Sequence, residues 1–301
     1  MKRNILSIGL LLLALMTVAC TGEGLSDQDL ADMALITDAF NNLAAQQSAS
    51  MTFESQIDQD MEVMGMNVQN VMIMRGEGVA QFSGGRISGV DLLLTSDTTM
   101  DMGALGGTTS GSSQTQVIII NGRFFTRVFN TTGALAGNDT DWVDASMAPP
   151  GSITAEQIFG ALGGDQLLPY PLNESTVRRF ERIGALPGEG QTIHGYRVVL
   201  DMSAVLREMD IEAAMAQFNL TELSTLGLDV AQMMTDIFEG SEVEVRIWIG
   251  ADDRLVHLLE LDTIMNVDVR IQGISMRIDQ DMTQRQRFTA FNVPAAITAP
   301  R

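Results

Sequence analysis

The 301-residue chain has one cysteine, one lysine and two histidines, and each scarcity removes a class of chemistry. A lone thiol, Cys20, cannot close an internal disulfide, so the fold depends on its core and not on covalent staples. With only His194 and His257 and no second cysteine, a thiolate or histidine-rich metal cluster is excluded. Both histidines sit in strand-like runs, "TIHGYRV" and "RLVHLLEL", and read as packed or surface strand residues. The one lysine is Lys2, so the body of the chain offers neither a Schiff-base amine nor a P-loop lysine. No G-x-S-x-G elbow is present. Aromatic residues are 5% of the chain, too few for an aromatic sugar-binding platform. Basic residues are scarce as well: 18 stand against 38 acidic ones, a net charge of −20, which disfavours nucleic acid and any electrostatic grip on anionic lipid head groups. Acidic runs such as "DTDWVD" read as solvated turns. No catalytic residue, metal or cofactor is assigned, and the expectation is a protein that is not an enzyme.

The opening residues are organised differently. Lys2 and Arg3 precede a mostly apolar run from Ile5 to Val18, shorter than the ~20 residues a membrane-spanning helix needs but suited to the h-region of a secretory signal. Thr17-Val18-Ala19-Cys20 resembles a bacterial lipobox, with threonine where leucine is usual. The resemblance implies that residues 1–19 are removed and that Cys20 carries a diacylglyceryl anchor. Two or three acyl chains, at ~0.8 kcal/mol per buried CH₂, hold a protein on a membrane almost irreversibly. Residues 20–26 then form a lipidated tether and 27–301 one domain, extracytoplasmic and anchored to the cell membrane.

The remainder is rich in apolar residues, 45% of the whole chain, ample for a core. Ser26 begins a helix through about Gln47, with Leu30, Met33, Ala34, Phe40, Leu43 and Ala44 at helical spacing. From Met51 the period becomes two: Met51, Phe53, Ile57, Met61 and Val63 alternate with polar residues, the pattern of a strand with one wet face. Further strands are predicted at 67–75, 78–83 and 87–97, then a flexible loop "GALGGTTSGSS" at 103–113. Asn121-Gly122 between apolar runs predicts a tight hairpin, Trp142 the end of a strand, and Thr154-x-x-Gln157 a capped helix to Gly163. Strands at 177–183 and 191–202 flank the turn "LPGEG", helices occupy 203–239, and three strands follow at 242–249, 254–262 and 264–291 with a possible bulge at Gly273. The pentapeptide Ile57-Asp-Gln-Asp-Met61 recurs at Ile278–Met282.

The order of signal, helix, alternating strands, "INGRFFTRV", "DWV", "HGYRVVLD", a helical insert, "VEVRIWIGADDRLVHLLEL" and "FNVPAAITAP" resembles the LppX/LprA/LprF/LprG-type bacterial lipoproteins, which have a LolA-like fold. The residues that carry the likeness include Trp248-Ile249, Arg254-Leu255-Val256 and Asn292-Val293-Pro294. The resemblance implies an α+β domain: a strongly curved antiparallel sheet, an unclosed half-barrel, with helices covering its concave face and acyl chains held between. One amphipathic helix, many one-faced strands and a helical insert reach a compatible layered arrangement from the residues alone.

Methionine supports this reading. The chain has 20, clustered in "MEVMGMNVQNVMIM" and "TMDMG" and on the helical insert, and unbranched thioethers re-pack around chains of varied shape; an irregular but filled core would also use them. The expected lining, taken from strand alternation and the insert, is Met51, Phe53, Ile57, Val245, Ile247, Leu259, Val267 and Val269 with Met209, Met215 and Met233. The expected ligand is an acyl-chain lipid or glycolipid, carried or presented in the cell envelope, with no nucleic acid and with any membrane-protein partner unidentified. The alternative is a sensor or scaffold lipoprotein on the same fold, RseB-like, regulating a membrane partner.

Cys20→Ala is expected to release the protein from the membrane fraction. Retention of the variant on salt-washed membranes would require a different anchor.

Overall fold

The fold is described from a computed structural model covering residues 25–63, 65–83, 86–103, 106–120, 123–144, 172–187, 192–208, 230–271 and 274–300. Helix α1, Asp27–Ala44, starts where Ser26 accepts a hydrogen bond from the Asp29 N–H while the Asp29 carboxylate accepts one from the Ser26 N–H, a capping box that satisfies two orphan donors. Asp27 and Asp29 in the first turn complement the positive end of the helix dipole. One face carries Met33, Ile36, Phe40 and Leu43 into a buried cluster with strand residues such as Met51, Val245, Ile247, Leu259 and Phe288. Ile36 and Leu43 have no exposed surface, and each such side chain contributes ~1.5–3 kcal/mol by burial.

Eleven strands make one sheet: β1 Ser48–Val63, β2 Met66–Ser83, β3 Arg86–Asp101, β4 Thr108–Ile120, β5 Arg123–Gly133, β6 Val143–Asp144, β7 Val177–Pro187, β8 Thr192–Leu200, β9 Ser241–Gly250, β10 Val256–Ile271 and β11 Ile274–Thr289. The order is β6-β5-β4-β3-β2-β1-β11-β10-β9-β8-β7. Every neighbouring pair is antiparallel, and β6 and β7 do not meet, so the sheet is large and unclosed. Among the described residues of the connection from β8 to β9 are two short helices, α2 Met202–Glu208 and α3 Val230–Glu239. Among the described residues no helix is long and apolar enough to cross a membrane.

Several expectations change in position. The strands expected at 67–75 and 78–83 are one strand, β2, because Gly76 and Gly78 keep the ladder unbroken while β3 comes close. A Cβ on Gly76 would stand 2.5 Å from Leu94 Cδ2, and one on Gly78 2.0 Å from the Asp91 carbonyl oxygen. The expected loop 103–113 is half strand: Thr109 pairs with Met100 and Ser112 with Asp97, since ladder hydrogen bonds override the Gly/Ser composition. The strands expected at 254–262 and 264–291 divide elsewhere. β10 runs unbroken through residue 263 to Ile271, and Ile271 pairs with Ile274, so the chain reverses between them; the bulge expected at Gly273 lies outside the described residues. Trp142 precedes the short β6 instead of ending a strand. Ile120 opposes Arg123, as a two-residue hairpin connection requires. The helix expected from Thr154 lies outside the described residues.

Val267 on β10 is 3% exposed, whereas its neighbour Asp268 is exposed on the other face. Val267→Asp is expected to lower the unfolding free energy by several kcal/mol through an unpaired buried carboxylate, and Asp268→Asn to change it by about 0.5 kcal/mol or less. Equal shifts in denaturant midpoint would contradict this facing.

Candidate ligand-binding face

Antiparallel partners point to the same side of a sheet, so the registers sort every strand residue by face. The face on which α1 lies, here the inner face, includes Ala49, Met51, Phe53, Ser55, Ile57, Gln59 and Met61 of β1, opposed by Phe288, Gln286, Gln284, Met282, Gln280 and Ile278 of β11. Leu259, Leu261, Thr263, Met265 and Val267 continue it on β10, and Val243, Val245, Ile247 and Ile249 on β9. On the other side come Gly78, Gly76, Met74, Met72, Asn70 and Val68 of β2, then Leu92, Leu94, Ser96, Thr98 and Met100 of β3. Among the described residues of β1 to β5 and β8 to β11, not one aspartate, glutamate, arginine or lysine shares this face. In a chain with 19% charged residues that is a sharp segregation.

The inner face has two regions. Near α1 it is filled: Met51, Val245, Ile247 and Leu259 pack in the cluster under the helix, and Phe53 joins Val90, Leu92, Leu94, Val117, Ile119 and Phe124 in a second cluster. Toward the β1–β2 and β10–β11 turns it is half-buried: Ile57, Met61, Val68, Met72, Met74, Met265, Ile278 and Met282 all retain surface. Leu261 and Met265 continue it across β10, beside the buried Val267. The expected lining residues thus separate. Met51, Phe53, Val245, Ile247 and Leu259 belong to packed clusters, Val267 is buried, and Ile57 begins the half-buried region. The side chains of Val269 and Met233, and all of Met209 and Met215, lie outside the described residues. Met72, Met74, Met265 and Met282 share this face and are not among the expected lining residues. The period-two spacing of Val68, Asn70, Met72 and Met74 carried the signal for β2.

Neutral polar groups lie within this apolar surface. Gln59 Nε2 donates to Gln280 Oε1 at 3.2 Å. Ser55, Gln284 and Gln286 are buried. Asn70 Oδ1 and Thr263 Oγ1 are buried with no hydrogen-bond partner, a condition that costs ~1–3 kcal/mol per group.

The outer face holds the charges. Arg197 bonds Glu244 at 2.5 Å and Glu181 at 3.3 Å. Arg246 bonds Glu244 and Glu260, each at 2.8 Å, and also Asp262, while Arg285 lies 3.2 Å from Glu260. The hydrogen bond from Arg197 holds the Glu244 carboxyl below the usual range, with Arg246 adding to it and burial opposing. Glu244 raises both Arg197 and Arg246, with Glu181 adding at Arg197 and Asp262 and Glu260 at Arg246. Grooves of about 300 and 600 Å³ open on this side, both bordered by Glu54, Arg75 and Arg285. Charged walls of this kind suit water and ions better than acyl chains. Among the described residues no three His, Cys, Asp or Glu side chains are grouped as metal ligands.

No model of a known protein family matches the sequence, and no curated protein does. Solved structures similar to the chain include LprF from Mycobacterium bovis, a member of the group that the sequence pattern resembles. It is 10% identical, with 92% of this chain and 99% of that one covered and a TM-score of 0.38. A DUF1329 family protein from Desulfovibrio piger is also 10% identical, with 91% and 96% covered and a TM-score of 0.27.

Because the folded state depresses the Glu244 carboxyl below its ordinary value of 4.5, its contribution is complete above that value and is lost as pH falls through the folded one. The difference in thermal midpoint between wild type and Glu244→Gln is therefore expected to shrink as pH is lowered from about 6 to about 3. A pH-independent difference would show that the carboxylate charge is not what stabilises.

Proposed function

We propose that this protein is a membrane-anchored lipoprotein that binds acyl lipids or glycolipids on the inner face of its sheet and carries or presents them in the cell envelope without chemical conversion. The single observation that supports this most strongly is the absence of charged side chains from the inner face among the described residues of β1 to β5 and β8 to β11, where a half-buried region rich in methionine and isoleucine extends past the cluster under α1. Hydrocarbon placed there gains ~25 cal/mol per Å² removed from water and desolvates no charge. Flexible thioethers at Met72, Met74, Met265 and Met282 fit chains of different length and branching. In this reading the helical insert between β8 and β9 covers the face and encloses the chains, and the Cys20 anchor keeps the protein at its lipid source.

The test uses protein purified without detergent, extracted with organic solvent and examined by mass spectrometry, alongside Met72→Trp and Met282→Trp. Wild type is expected to yield acyl lipid near one per protein, while both variants keep their thermal stability and lose the lipid. In a filled core the same substitutions would cost ~1–3 kcal/mol. An empty wild type together with destabilised variants would refute lipid binding on this face.

A further inference from the structure

The repeated pentapeptide has a structural meaning. Ile57–Met61 and Ile278–Met282 are paired antiparallel, Ile57 against Met282, Gln59 against Gln280 and Met61 against Ile278. The two copies are thus related by a local two-fold axis between Gln59 and Gln280, in the half-buried region of the inner face. Asn70 stands beside Gln59 on β2 and Met265 beside Gln280 on β10. Toward α1, Ser55 opposes Gln284, and Thr263 lies beside Met282 on β10. Uncharged hydrogen-bonding groups therefore line β1 and β11 on either side of the apolar Ile57–Met282 pair, with Asn70 and Thr263 beside them on β2 and β10, a polar lane interrupted once. Methionine and leucine flank it on both sides: Met72, Met74 and Leu94 across β2 and β3, Leu261 and Met265 on β10. At ~4.8 Å per strand the flanks are about 14 Å apart from β2 to β10.

Three ligand chemistries meet this lane differently. A plain hydrocarbon laid across it would desolvate amides and hydroxyls without replacing their hydrogen bonds. A fatty acid carboxylate or a phosphate would find no arginine or lysine among the described residues of this face on β1 to β5 or β8 to β11; Arg182, on the edge strand β7, is engaged by Asp32. A molecule with an uncharged polar middle and an apolar arm on each side satisfies both parts. Asn70 Oδ1 can only accept, so it takes a hydroxyl or N–H; Thr263 Oγ1 can also donate to an ester carbonyl.

We infer that Ser55, Gln59, Asn70, Thr263, Gln280 and Gln284 form a hydrogen-bonding subsite for the uncharged ester and hydroxyl groups in the middle of a two-armed lipid. The inference rests on the lipid-binding reading above and adds selectivity for that middle. The lane contributes specificity, and the methionine flanks contribute most of the affinity.

The experiment measures displacement of the neutral dye Nile red from delipidated protein by dioleoylglycerol, oleate and 1-octadecene. Dioleoylglycerol is expected to compete at about tenfold lower concentration than the other two, the equivalent of one or two buried hydrogen bonds. The double variant Gln59→Leu/Gln280→Leu is expected to abolish that preference while leaving octadecene competition unchanged or stronger. Should the double variant fail to fold, Gln280→Met, similar in length and volume, reads the same preference. Octadecene or oleate competing as well as the glyceride, or a preference that survives the variants, overturns the subsite and leaves lipid binding standing. Absence of dye binding and of competition by all three probes overturns both.

Discussion

The fold depends on the register between β1 and β11. Side chains alternate strictly along a strand, so a one-residue slip would send every charge of one face to the other. The observed register keeps Glu54, Asp58, Asp60 and Glu62 outward with Arg285, Asp281, Asp279 and Arg277, and the same parity passes through β10, β9, β2 and β3. It also has a cost. Setting Gln59 against Gln280 necessarily opposes Asp58 to Asp281 and Asp60 to Asp279, like-charge pairs that are destabilising by a few tenths to ~1 kcal/mol each. Arg277, 2.9 Å from Asp279, offsets part of it. The apolar gain on the inner face is larger than these terms, and it sets which register wins.

Helix α1 divides that inner face. Its apolar stripe fills the region over β1 and β8 to β11, and its one buried carboxylate, Asp32, receives two hydrogen bonds from Arg182 on the edge strand β7. The helix is thereby tied to the end of the sheet farthest from β6. At its other end Asn42 donates to the Arg254 carbonyl at 3.3 Å, and Gln46 accepts from Asn292 at 2.8 Å. With both ends fixed, α1 covers one region of the inner face, and the apolar rows of the long strands extend past it. Packed core and candidate binding surface are thus the same face at different distances from one helix.

Much of this was legible in the sequence, for identifiable reasons. The helix start followed from Ser26 and the spacing of Met33, Phe40 and Leu43. The strands followed from alternation wherever one face is polar, as in Met51 to Val63. Misplaced boundaries came from residues whose role is set by a neighbour: Gly76 fell in the expected gap between two strands, yet with Gly78 it makes room for Leu92 and Leu94 in one ladder, and the Ser/Gly run at 108–113 is held by β3. Alternation could not locate the β10–β11 turn, because strand texture continues on both sides of it. For the candidate site, parity grouped the expected strand residues on one face. It could not separate filled from half-buried positions on that face, since Met51 and Ile57 obey one pattern and differ only in their distance from α1. The meaning of the repeated pentapeptide was also invisible in one dimension, because it lies in the pairing of the two copies.

The most direct measurement is photo-crosslinking with a lipid carrying a diazirine in its acyl chain, followed by mapping of the labelled peptides. A ligand seated on the inner face predicts labels concentrated at Ile57, Met61, Met72, Met74, Ile278 and Met282, with the outer-face residues of the same strands unlabelled. Labels spread over both faces, or concentrated around Glu54, Arg75 and Arg285, would contradict the account.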